Sequence, residues 1–154
     1  MLACVRSIEP SQLLRVCCVL IVAGVFVISG VSKITGNGQE GSMVARYLNS
    51  VETVRALGFA EIALALWMLS FRMPRLSVGI AAGALLGFTV LIGVELNREK
   101  PLPCGCLQAT PGIQDPHAIR RGLWGSIGRN GVLVSLSVVA IMLATDPRSR
   151  SKDA

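Results

Sequence analysis

Two stretches of this chain are as long as a bilayer is thick and carry almost no charge. Leu76 to Val94 contains no charged side chain, and Val16 to Ile34 contains none before Lys33. About 20 apolar residues in a helix cross a hydrocarbon core, far more than a core strand or an ordinary soluble helix needs. Two further blocks follow the same logic. Val54 to Phe71 is interrupted by Arg55 near its start and Glu61 inside it, and Gly131 to Ala144 is long enough if its helix begins a turn or two earlier. Within a bilayer only helices and closed barrels satisfy their own backbone groups. The expectation is an all-α, integral membrane four-helix bundle over residues 16–145, with spans near 16–34, 54–71, 76–94 and 125–145. Tails over 1–15 and 146–154 complete the chain. A cleaved signal peptide competes for the first block, although its apolar run exceeds the about 7 to 15 residues usual in such a segment.

The connections carry the polar character. Thr35 to Glu52 opens glycine-rich and turns amphipathic around Met43, Val44, Tyr47 and Leu48, which reads as a short interfacial helix. Arg72-Met73-Pro74-Arg75 forms a tight basic turn. The longest connection, Glu95 to Asn130, passes through Pro103-Cys104-Gly105-Cys106 and a stretch with Pro111, Gly112 and Pro116. It ends in a second interfacial helix from His117, with Trp124 suited to the headgroup belt. On the third block Gly79, Gly83 and Gly87 recur every fourth residue, a pattern that lets a neighbouring backbone approach closely.

The net charge of +6 does not indicate nucleic acid, because the 15 Lys and Arg are scattered through connections and tails without a basic stripe. In a membrane protein such charge records topology. Arg6, Arg15, Arg72, Arg75, Arg148, Arg150 and Lys152 crowd the tails and second turn, while the remaining eight are spread over connections about twice as long. Both termini are therefore expected in the cytoplasm and the cysteine turn on the extracytoplasmic side, with the inverted topology as the alternative. Cys17 and Cys18 would then lie near the opposite surface, roughly 25 Å away at about 1.5 Å of rise per residue, beyond disulfide reach.

Cys104 and Cys106 are separated only by Gly105, whose backbone freedom lets the two thiols meet in a small, strained ring. Strained, exposed disulfides are the labile ones that exchange with partners. Arg98, Lys100, Arg120 and Arg121 lie near in sequence and favour a thiolate; Arg129, which with Asn130 begins the last helix near the level of the turn, either does the same, ties the loop to the bundle or serves as an ordinary interfacial anchor. An inert loop disulfide or two free thiols compete with the redox pair. So does a metal site of Cys104, Cys106 and His117, although no fourth ligand is evident. Glu61, deep in the second span, requires a partner; Lys33 is the available cation, either locking helix packing or leaving the carboxylate to relay protons.

Four segments together resemble the methylamine utilisation protein MauE family, within the wider DoxX-like four-helix membrane proteins. They are Phe26-Val27-Ile28-Ser29-Gly30-Val31-Ser32-Lys33, Glu61 with its apolar surround, Pro103-Cys104-Gly105-Cys106-Leu107 and Gly128-Arg129-Asn130. Family members commonly continue with Phe-Gly where this chain reads Leu107-Gln108. The resemblance implies an inner-membrane protein for processing, transport or disulfide maturation of an exported, disulfide-rich client such as the small (beta) subunit of methylamine dehydrogenase. It implies a thioredoxin-like extracytoplasmic partner; the residues themselves point to Cys104 and Cys106 as the redox pair with support from Glu61 and Arg129, and no cofactor or metal is expected. A non-catalytic membrane scaffold or transporter subunit is the rival expectation.

Overall fold

In a computed structural model the structure describes residues 10–36, 43–48, 50–70, 73–104 and 115–145. The expectations for the tails 1–9 and 146–154, for Arg72, and for Gly105, Cys106, Pro111 and Gly112 lie outside the described residues. The elements are α1 (Pro10–Thr35), α2 (Met43–Leu48), α3 (Val51–Leu69), α4 (Pro74–Leu96) and α5 (Pro116–Thr145), and the described residues include no strand.

Local chemistry explains the helix ends. Gly36 follows α1 at φ 74°, the left-handed conformation in which glycine closes a helix without a Cβ penalty. Ser50 caps α3 by accepting the Thr53 N–H through its side chain at 3.0 Å. Pro74 opens α4, where its missing N–H removes a donor that would have no partner.

By length and composition α1, α4 and α5 are each able to cross a membrane. α3 carries Glu52, Arg55 and Glu61 within 19 residues and does not meet that description. The outer surface is apolar all the same: Phe59, Leu66, Val90, Val132 and Met142 are between 61% and 66% exposed. A surface of that kind suits lipid rather than water. The second interfacial helix and the last span are one continuous 30-residue helix, α5. Its basic residues Arg120, Arg121 and Arg129 interrupt the hydropathy without interrupting the backbone, because charges on long stems sit on a helix as readily as apolar residues do. α2 forms where the amphipathic segment lies, and buries Met43 and Val44.

α1 packs chiefly on α3 and also on α5, and α4 packs chiefly on α5. Two apolar cores result. One gathers Cys18, Val22, Met68, Val78 and Leu133; the other gathers Met43, Val54, Ile92, Cys104 and Leu123. Cys18 and Cys104 thus belong to different cores, and neither Cys17 nor Cys18 is in a disulfide.

The close helix contact is not where the glycine stripe predicts it. Gly79, Gly83 and Gly87 have nothing within 4 Å of an added Cβ and lie on the exposed face of α4. Gly30 and Gly58 make the contact instead. A Cβ on Gly30 would stand 2.6 Å from the Gly58 carbonyl oxygen, and one on Gly58 would stand 2.7 Å from that of Gly30. Four-residue spacing names a shared face but not which way that face points.

Gly30→Ala or Gly58→Ala should therefore destabilise the bundle by about 1–3 kcal/mol through overpacking. Gly83→Ala should stay within about 0.5 kcal/mol of the parent, both measured by chemical unfolding in detergent.

Candidate functional site

One turn beyond each of the two contacting glycines stands a charged residue, Lys33 on α1 and Glu61 on α3. Their proximity follows from the approach that Gly30 and Gly58 permit. Lys33 Nζ donates to Glu61 Oε1 at 2.5 Å, with side chains 1% and 7% exposed. The ammonium also donates to Ser29 Oγ at 2.8 Å and lies 5.3 Å from the centre of the Phe88 ring, within cation–π range. Glu61 is less completely satisfied. Its Oε2 is buried and has no hydrogen-bond partner among the described residues.

Beside this pair a small pocket of about 40 Å³ opens between α1, α3, α4 and α5. Phe26 and Phe88 contribute apolar wall, and the polar groups on its lining are Ser29, Glu61, Arg129, Asn130 and Cys104. Asn130 is buried and donates through Nδ2 to Thr89 Oγ1 at 3.3 Å. Arg129 is half-buried, and its Nε is a second buried polar atom with no partner among the described residues. Two residues of the pocket thus carry a buried polar atom, one acceptor and one donor, without a partner among the described residues, and Cys104 lines the same pocket.

Cys104 reaches the pocket because a strap, Pro101–Cys104, is fastened at the bundle end. Glu95, fully buried in the last turn of α4, is the fastening point. Its Oε1 accepts from Leu102 N–H at 3.0 Å and from Arg46 Nη1 of α2 at 3.0 Å, while Oε2 faces Arg98 Nε at 3.4 Å. The Tyr47 hydroxyl donates to Oε2 at 3.5 Å. The Pro103 carbonyl in turn accepts the Met43 N–H at 2.9 Å, satisfying a donor in the first turn of α2.

Of the sequence-predicted residues, the structure brings Cys104, Glu61 and Arg129 to one pocket, and Cys106 lies outside the described residues. Arg98, Lys100, Arg120 and Arg121 are exposed, with Arg98 directed to Glu95 and Tyr47; Arg129 is the cation that lines the thiol's pocket. His117 is exposed, and among the described residues no three His, Cys, Asp or Glu side chains cluster to hold a metal. Glu95 is the residue that sequence reasoning missed. A carboxylate at the end of an otherwise uncharged span, with Arg98 three residues on, is the signal that marks it.

Replacing Lys33 by Met leaves Glu61 uncompensated and should cost about 3–5 kcal/mol in detergent unfolding, most of it recovered in the double variant Lys33→Met/Glu61→Leu. Glu95→Gln should release the strap and raise the maleimide labelling rate of Cys104 by about tenfold, read by peptide mass. Arg98→Gln, which removes a largely exposed partner, should change that rate far less.

No curated protein and no solved structure matches this chain. The family described as methylamine utilisation protein MauE matches residues 10–143. That span takes in the pocket's polar residues, the Lys33–Glu61 pair and the Glu95 strap, and the chain belongs to the MauE family.

Proposed function

We propose that this chain is a four-span membrane protein whose Cys104–Cys106 turn exchanges disulfides with exported proteins. The fourth span is α3. Its Glu61 is neutralised inwardly by Lys33, its Glu52 and Arg55 lie in the first turns near the membrane surface, and its outward residues Phe59 and Leu66 are apolar. Four spans place both termini on one side, which by charge density is the cytoplasm, and the cysteine turn on the other. Thiols on that side meet oxidising conditions.

The observation that carries this reading is the position of Cys104, buried at a pocket shared with Glu61 and Arg129. A thiolate is the reactive form of cysteine, and a nearby guanidinium favours it. In the exchange, a thiolate attacks one sulfur of a disulfide, forming a mixed disulfide and expelling the other sulfur as a thiolate. A second exchange resolves it, so that one disulfide passes one way while two electrons and two protons pass the other. The partners are a thioredoxin-like extracytoplasmic protein and a disulfide-rich client, with the small subunit of methylamine dehydrogenase as the client that family membership suggests.

The Gly30–Gly58 contact and its ion pair favour a second reading, a non-catalytic scaffold or transporter subunit. Under it Glu61→Gln abolishes function while Cys104→Ser/Cys106→Ser behaves as the parent.

Alkylation trapping in intact cells separates the two. The redox reading predicts that part of the Cys104–Cys106 pair is trapped as disulfide and that either serine substitution lowers client disulfide formation by at least tenfold. A permanently reduced pair, or full client oxidation in the double serine variant, contradicts it.

A further inference from the structure

Cys104 is 9% exposed and shares one apolar core with Met43 and Val44, the two buried residues of α2. Disulfide exchange requires an incoming sulfur to reach the thiol, so access limits it as thiolate character does. Here the thiol is covered. The cover consists of two pieces of chain, α2 and the Pro101–Cys104 strap, which are fastened to each other as well as to the bundle. The Pro103 carbonyl, one residue before the thiol, accepts the Met43 N–H at 2.9 Å. A single oxygen, Glu95 Oε1, accepts from Arg46 of α2 and from the Leu102 N–H of the strap, each at 3.0 Å. Lifting α2 therefore breaks a bond that holds the strap, and lifting the strap breaks one that holds α2. Of the two anchors, α4 is a helix of 23 residues, whereas α2 has six, too few to persist in water without tertiary support. That support is two buried side chains and the contacts of the exposed Arg46 and Tyr47 with Glu95. A segment held by so few buried contacts opens locally at far less cost than the whole bundle unfolds.

We propose that α2 and the Pro101–Cys104 strap form one latch over Cys104, which lifts from Glu95 as a unit while the bundle stays folded, and that only the lifted state presents the thiol to another sulfur. The inference deepens the redox reading above by naming what controls access to its thiol. Its test is alkylation, which needs no exchange partner, so the two readings can fail separately.

The test uses the full chain in lipid nanodiscs, fully reduced, with Cys106→Ser so that label on the turn belongs to Cys104. Pulses of N-ethylmaleimide are read by peptide mass, and amide hydrogen exchange is followed on the same samples. Val44→Ala loosens the seat of α2 and leaves every hydrogen bond to Glu95 in place. It should raise the Cys104 rate roughly tenfold, as expected when buried methyl groups are lost from the closed form alone. The α2 amides and the Leu102 amide should exchange faster by the same factor. Arg46→Gln should act in the same direction on all three readouts. Cys18, buried in the other core, is the internal reference and should keep its parent rate. If Val44→Ala speeds α2 exchange but leaves Cys104 and Leu102 at their parent rates, the strap closes on its own and the latch is overturned. A rise at Cys18 that matches the rise at Cys104 would also overturn it, because the whole bundle would then be opening. Parent Cys104 reacting as fast as free N-acetylcysteine would overturn the latch and leave the redox reading standing. Conversely, a Cys104 rate that follows α2, together with a pair found permanently reduced in cells, would sustain the latch and remove the redox reading.

Discussion

Lys33 and Glu61 can meet only because α1 and α3 touch backbone to backbone. Gly30 and Gly58 set that separation, and the charged pair follows one turn further along each helix. An ionised carboxylate among apolar helices is costly, and a buried ion pair regains that cost only with good geometry and further hydrogen bonds. The ammonium has them in Ser29 and the face of Phe88. The carboxylate is half satisfied: its Oε2 is buried and has no hydrogen-bond partner among the described residues.

A second carboxylate performs the complementary task at the bundle end. Glu95 draws α2, the end of α4 and the Pro101–Cys104 strap onto one buried point. Pro101 and Pro103 lack N–H groups, so Leu102 supplies the strap's donor to Glu95 while the Pro103 carbonyl receives Met43. Cys104 is thereby fixed at the pocket wall. Glu61 brings a buried carboxylate to the pocket, and Glu95 fastens the strap that carries the thiol to it.

Much of this is legible in the residues. The uncharged runs announce membrane helices, and a glutamate inside an apolar block demands a partner, for which Lys33 at the end of the first block is the available cation. Cys104, Glu61 and Arg129 stand out as chemistry-bearing residues in apolar surroundings. Other features are hidden for physical reasons. The Gly79-Gly83-Gly87 stripe has the spacing of a packing motif, yet periodicity cannot say whether a face turns inward, and the isolated Gly30 and Gly58 make the contact. The continuity of α5 is masked by arginines that lower hydropathy without breaking a helix. Glu95 depends on Arg46, far back in the chain, and on a backbone N–H in the strap, and neither partnership leaves a local pattern.

The claim on which the rest depends is that the Cys104 end of the bundle faces the extracytoplasmic space. Side-specific labelling tests it directly, with a membrane-impermeant maleimide applied to intact, reductant-treated cells and to the same cells after permeabilisation, and Cys104 and Cys106 read by mass. The account predicts that the pair labels in intact cells and that permeabilisation adds little. Labelling that appears only after permeabilisation would place the thiols in the reducing cytoplasm and contradict it.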